Sequence, residues 1–294
     1  MNSDIQRQAA AAAREQESQI QDYAGLLAAG LATGRVELPS WSHAIERARA
    51  ALVNRSSDSQ QLVRLVAADA GLALRVLTLA NSALLARGGK SLTDLQTALA
   101  RIGRDNLRGA VYADALAQLR NAPRLQHLRA DLAELWREAT TVAALARLIA
   151  ARCGAVDPDE AMLAGLLHNI GKLYLLANLD PQSPLARNQT LRATLLSCSH
   201  ARIGELLTQA WQLPERLCAA IAQQETLAAD PSLPLQPGEV LAAAIIATGA
   251  PDSLEVTAGH LAQFSRFGLD ADAWLQLLQR TREVTTTLRA IFGD

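Results

Sequence analysis

The apolar half of this chain is built from alanine and leucine, and that choice constrains the fold more than any motif. Hydrophobic residues make up 50% of the 294 residues, yet there are only four Trp, three Tyr and three Phe. Alanine and leucine are strong helix formers, whereas strands draw on β-branched and aromatic side chains. No stretch sustains the apolar–polar alternation of a half-buried strand. The expected fold class is therefore all-α.

Breakers and caps divide the chain. Residues 8–33 read as a helix ending near Gly34, followed by a break at Glu37–Ser40 and a helix over Ser42–Val53. Ser57 with Gln60 forms a capping-box pattern for a helix through Ala68. Gly71–Leu85 follows, apolar on most sides, then a glycine-rich loop at Arg87–Lys90. Thr93 with Gln96 caps a helix ending at Gly103, and Asp105–Leu119 precedes a break at Pro123. Leu125–Arg152 is a long helix stopped by Gly154. Asp157-Pro158-Asp159-Glu160 is a strong start signal, with Asp at the cap and Pro at the first position, for a helix running to about Asn178. A loop over Asp180–Arg187 leads to helices at Leu191–Gln212 and Pro214–Leu227. A proline-rich linker, Asp230–Pro237, precedes C-terminal helices near 239–249, 253–266 and 270–291.

Charge and cysteine usage exclude several classes. The formal net charge is −1, so there is no basic excess to release counterions from a duplex, and nucleic-acid binding is not expected. High hydrophobicity with low net charge rules out a disordered chain. The three cysteines, Cys153, Cys198 and Cys218, are odd in number and far apart, which supports neither a disulfide framework nor a zinc ribbon. The N-terminal residues lack a signal-peptide pattern, and no window approaches the roughly 18 apolar residues of a membrane span. A reducing cytoplasm is the expected location.

Two stretches carry a family pattern. LVRLVAADAGLALRVLTLANSALL (62–85) with SLTDLQTALARIG (91–103) resembles the N-terminal half of HDOD domains, in which an Asp-Pro pair leads through a Leu-rich helix to an Asn-Ser pair and then a short capped helix ending in Gly. Asp69, Asn81, Ser82 and Gly103 match; Ala70 stands where Pro is usual. LWREATTVAALA (135–146), AMLAGLLHNIGKLYLL (161–176) and SHARIGELLTQAWQLPERLCAAIAQQE (199–225) resemble the HD-like half of the same family, with Trp136 and Gly171 as further matches. The resemblance covers about two-thirds of the chain. It implies an HDOD helical bundle over 36–229, comprising an N-terminal half (36–122) and an HD-like half (123–229), flanked by helical extensions at 1–35 and 230–294.

HD-type phosphohydrolases, to which HDOD domains are related, hold divalent metal with a His on one helix, a His-Asp pair on the next and a further Asp. The metal lowers the pKa of a bound water that attacks a phosphate ester. Carried onto this chain, the first His position falls on Glu138 and the His-Asp pair on His168-Asn169. The His-His pair of some relatives falls on Gln224-Glu225, and a family His on His200. LAAAIIATGA (241–250) offers no Asp. A lone His beside an amide is a poor divalent-metal set, so no metal and no cofactor are expected. His168 is read as a buried neutral His bonded to a neighbouring side chain or carbonyl, with ligand contact or residual metal as the alternatives. Asn169 can bridge helices where Asp would hold metal. Lys172 either holds an anionic ligand or is solvated.

Asn81-Ser82 reads as a structural joint between the two halves. Arg101, Arg104 and Arg108 share one helical face if the helix continues through Gly103. That face is either solvated or a docking surface for an acidic partner or a nucleotide. His43, His127 and His260 stand alone. No GxSxG, P-loop, HExxH or GxGxxG motif occurs. The resemblance thus implies a non-catalytic bacterial signal-transduction module that binds a signalling protein partner or a small, nucleotide-type ligand. The competing expectation is a divergent metal-dependent phosphohydrolase acting on nucleotides or cyclic dinucleotides.

Overall fold

The computed structural model describes residues 2–33, 51–52, 58–82, 92–120, 122–227, 234–249 and 265–292. Among these residues the chain is helical and contains no strand. The helices are α1 (Asn2–Ala32), α2 (Ser59–Ala67), α3 (Ala70–Asn81), α4 (Leu95–Arg120), α5 (Arg129–Cys153), α6 (Pro158–Leu167), α7 (Ile170–Asn178), α8 (Pro184–Arg187), α9 (Gln189–Ala210), α10 (Glu215–Ala222), α11 (Pro237–Thr248) and α12 (Ala271–Phe292). The break at Glu37–Ser40, the loop at Arg87–Lys90 and the helix near 253–266 lie outside the described residues, apart from the 3₁₀ turn Ser265–Phe267; of the helix over Ser42–Val53 only residues 51–52 are described.

Helix α5 is the axis of the second half. Val142, Ala143, Ala144, Leu145 and Ala146 are all fully buried, so its alanine-rich middle is surrounded by other helices. Small side chains allow the surroundings to come close. A Cβ on Gly165 of α6 would strike the backbone of Ala143 in α5. A Cβ on Gly171 of α7 would strike the carbonyl of His200 in α9 and come within 2.8 Å of the Gly204 amide. These two contacts fix where α6, α7 and α9 sit around α5.

The first half, α2–α4, joins this body through α4, which packs on α6 and α5. Tyr112 of α4 stacks on Trp211 at the C-cap of α9, centroids 5.0 Å apart and planes 18° from parallel, with both rings buried. This aromatic pair is part of the joint between halves. Asn81 does not bridge them: its side-chain amide donates to the Leu92 carbonyl at 2.8 Å and accepts from the Leu92 amide at 2.7 Å, clasping the two ends of the segment between α3 and α4. Ser82 caps α3 by donating to the Leu79 carbonyl. The flanking helices are packed in: α1 lies on α9, Tyr23 donating to the Leu175 carbonyl, while α12 lies on α5 and also meets α3 and α4.

Two expected caps shift by one side chain, for a common reason. Asp58, not Ser57, caps α2, and Asp94, not Thr93, accepts from the Thr97 amide ahead of α4, because a charged carboxylate is a stronger acceptor for orphan helix amides than a hydroxyl. Asp69 caps α3 through the Leu72 amide, so the helix starts at Ala70 without Pro at its first position. Gly103, at a left-handed φ of 73° with an extended ψ, ends one helical segment where the sequence pattern placed its end, and a second segment follows directly across the kink within α4. The helix expected over 158–178 is broken: His168 and Asn169 form a turn between α6 and α7. A one-turn helix, α8, lies inside the expected loop at 180–187.

The Gly171 contact gives a sharp test. On helix propensity alone Gly171→Ala should stabilise α7 by roughly 1 kcal/mol. The clash with the α9 backbone reverses that sign, and we expect a net destabilisation of about 2–3 kcal/mol in urea denaturation.

Candidate functional site

The positions matched to the HD site converge on one cavity of about 320 Å³. Helix α5 supplies Leu135 and Glu138, the α6–α7 turn supplies His168, and α7 supplies Lys172 one turn later. Helix α9 supplies Ala193, Leu196, Ser197 and His200; Gln224 and Glu225 follow α10; Ile245 comes from α11. Thus Glu138, His168, Lys172, His200, Gln224 and Glu225 meet, and Asn169 lies directly behind them. The α9 residues sit at i, i+3, i+4 and i+7, a one-face helical pattern that the sequence displays; that spacing could have identified Ala193, Leu196 and Ser197 once His200 was singled out. Ile245 had no such signal, because it lies beyond the family-like stretch.

Glu138 is the electrostatic centre. Its Oε2 accepts from the Asn169 side-chain amide at 2.9 Å and lies 3.8 Å from the Lys172 ammonium. Its Oε1 is 3.7 Å from His168 Nε2. Burial disfavours the charged carboxylate, but the neighbouring His168 and Lys172 and the Asn169 amide outweigh it and hold the group down at about 2. The His168 ring is oriented from the other side, Nδ1 donating to the Gly165 carbonyl at 2.7 Å. A second, separate pair lies across the cavity: His200 Nε2 is 3.6 Å from Glu225 Oε1, and Nδ1 donates to the Ser197 carbonyl. Burial, with Lys172 nearby, lowers the His200 pKa despite Glu225, which favours the neutral ring.

The donor set does not fit a divalent metal. Where a second carboxylate would face Glu138, Asn169 presents an amide nitrogen, which donates and has no lone pair to give. The Lys172 ammonium competes for the same carboxylate oxygen. Among the described residues no group of three or more His, Cys, Asp or Glu is placed to hold a metal ion.

The remaining singled-out residues lie elsewhere. Trp136 is buried in the core one residue after Leu135. Arg101, Arg104 and Arg108 are half-buried and turned onto the protein's own backbone: Arg101 donates to the Ala80 carbonyl, Arg104 to Ala51 and Arg108 to Leu52. Arg104 and Arg108 also line a second cavity of about 410 Å³ with Asp157, Asp159 and Glu160, between α4 and the start of α6. His127 is exposed; His43 and His260 lie outside the described residues. The three cysteines are free, and among the described residues no helix is long and apolar enough to cross a membrane.

A helix–turn–helix carrying His168-Asn169, set against Glu138 of a buried helix and closed by α9, defines an HD-like helical domain with an altered metal position. The HDOD domain model matches residues 38–227, and the chain belongs to the HDOD family. The fold resembles a Shewanella amazonensis protein described as a candidate metal-dependent phosphohydrolase, with a TM-score of 0.71 over 92% of this chain and 99% of that one at 22% identity. It also resembles an HDOD domain protein of unknown function from Geobacter sulfurreducens, with a TM-score of 0.59 over 92% and 98% of the two chains at 22% identity. An uncharacterised protein of Treponema pallidum is 26% identical over 212 residues, 67% of this chain but only 39% of its own length. This chain therefore matches about two-fifths of that relative.

The depressed carboxyl of Glu138 makes a signed prediction. A group held below its ordinary value of 4.5 stabilises the fold above that pH, and the contribution is lost as pH falls toward 2. The stability difference between wild type and Glu138→Gln should therefore shrink steadily from pH 5 to about pH 2 in denaturant titrations. A difference independent of pH would show that the carboxylate charge contributes nothing.

Proposed function

We propose that this domain is a non-catalytic regulatory module that retains the HD cavity as a binding site and acts in bacterial signal transduction through a protein partner, within the cytoplasm. The observation that carries this reading is the engagement of Glu138 by the Asn169 amide and the Lys172 ammonium. The carboxylate at the first-ligand position is already partnered by groups that cannot ligate. The cavity persists, walled by Leu135, Leu196 and Ile245 and floored by buried polar groups. A ligand there would touch α5, α7, α9 and α11 together, and α5 and α9 meet α4 or its Tyr112 at the joint between halves. Binding can then shift the packing of one half on the other only to the extent that it favours one arrangement.

A second reading, a divergent HD-type phosphohydrolase acting on nucleotides or cyclic dinucleotides, draws support from the likeness to a candidate metal-dependent phosphohydrolase. Metal content discriminates the two. Mass spectrometry of the purified, untagged protein should find no divalent metal above that of a His168→Ala control. Near-stoichiometric metal that disappears in the variant, together with phosphodiester turnover, would establish the enzyme reading.

A further inference from the structure

The most conspicuous unused group in the molecule is Gln224. Its side chain is fully buried, yet neither the amide nitrogen nor the amide oxygen has a hydrogen-bond partner, and it lines the 320 Å³ cavity. Leaving a buried donor and a buried acceptor both unmade is unfavourable, so such groups in native proteins normally meet a partner. A further buried atom is left open at the cavity wall, His168 Nε2, whose nearest carboxylate oxygen at 3.7 Å is beyond hydrogen-bond distance; Asn169 Oδ1, behind the wall, is also unsatisfied. Two side chains of one cavity wall with unsatisfied buried atoms point to a polar ligand.

Resting on the binding-module reading, we propose that the cavity takes a small planar heterocycle carrying a lactam edge, a ring N–H next to a ring C=O. A primary carboxamide is complementary to that edge: the Gln224 Nε2–H donates to the lactam carbonyl while the lactam N–H donates to Oε1. The other walls fit the flat faces of such a ring, since Leu135, Ala193, Leu196 and Ile245 are apolar. Charge selects against an anion as the main occupant: Lys172 is matched by Glu138, and Glu225 adds a second carboxylate beside His200. The volume lies near the lower end for small-molecule sites, roughly 300–1,000 Å³, which suits one ring system with a modest substituent and not two linked nucleotides.

The test is calorimetric titration of the full chain with 2-pyridone, uracil and hypoxanthine, each beside its N-methylated counterpart, in wild type, Gln224→Met and Gln224→Glu. At least one N–H lactam should bind, its N-methyl form should bind at least about tenfold more weakly, and Gln224→Met should lose that discrimination whereas Gln224→Glu, which keeps an acceptor for the ring N–H, should retain it. Gln224→Met, which removes an unsatisfied amide at nearly constant volume, should leave the melting temperature of the free protein unchanged or raised. Equal binding of N–H and N-methyl forms, undiminished binding by Gln224→Met, or no lactam binding with a lowered melting temperature in Gln224→Met (an amide satisfied by water) would each overturn the proposal. Absence of lactam binding in a metal-free protein would overturn this inference alone. Stoichiometric metal lost on His168→Ala would overturn the binding-module reading and this inference with it.

Discussion

The close approach of backbones at Gly165 and Gly171 is the constraint on which the site depends. With no Cβ in the way, α6 lies directly on Ala143 of α5, and α7 lies directly on His200 and Gly204 of α9. The turn between α6 and α7 is thereby held at fixed distance from both partners. Side chains on that turn must face Glu138 on one side and the His200 face of α9 on the other. The cavity is a consequence of helix spacing, and its persistence does not require that the original chemistry persist. An alanine-rich α5 makes this possible, since dispersion contacts among small buried groups fill the space that larger side chains would otherwise hold open.

Within this frame, changing the chemistry takes few atoms. Asn169 occupies the space of an aspartate, but its amide nitrogen turns a metal-facing acceptor into a donor aimed at Glu138. Glu138, longer than a carboxylate needs to be to stay on its own helix, reaches both that amide and the Lys172 ammonium. The low pKa of Glu138 follows from donors converging on one buried carboxylate, and the same positively polarised groups disfavour a cation beside it. Here protein donors satisfy it. The other side of each group is left without a partner: Asn169 Oδ1 and His168 Nε2 are buried and unsatisfied, and Gln224 in the cavity wall is likewise unpaired.

How much of this was legible in the sequence depended on whether the deciding term was local. Helical class, the long α5 and the Asp157-Pro158 start of α6 follow from composition, periodicity and capping chemistry, all of which act within a few residues. The seven HD-site positions could be named because a family pattern fixed them, and the structure brings six around one cavity with Asn169 behind. The interruption at His168-Asn169 was not legible: residues 158–178 keep an apolar helical pattern throughout, and the turn is imposed by docking α6 on α5 and α7 on α9. Likewise the spacing of Arg101, Arg104 and Arg108 describes a shared face only for an unbroken helix, and Gly103 at φ 73° removes that premise. Their carbonyl partners at Ala51, Leu52 and Ala80 are 21 or more residues distant, out of reach of any local rule.

The parts of the chain outside the family-like stretch are not ornaments on this domain. Helix α11 contributes Ile245 to the cavity wall and packs on α5, α6 and α10. Its start is fixed by Glu239, which accepts from the Gln236 amide at 3.0 Å and pairs with Arg266 at 2.7 Å, both side chains largely buried. Helix α12 is tied to α5 by Arg289, which donates to the Thr140 hydroxyl and the Arg137 carbonyl, flanking Glu138 in sequence. The same helix meets α3 and α4 of the first half. Any displacement of α5 by an occupant of the cavity is therefore shared with α12, and through it with the first half, by packed and hydrogen-bonded contacts. That shared packing is the physical means by which occupancy of the cavity can be felt at a distant surface.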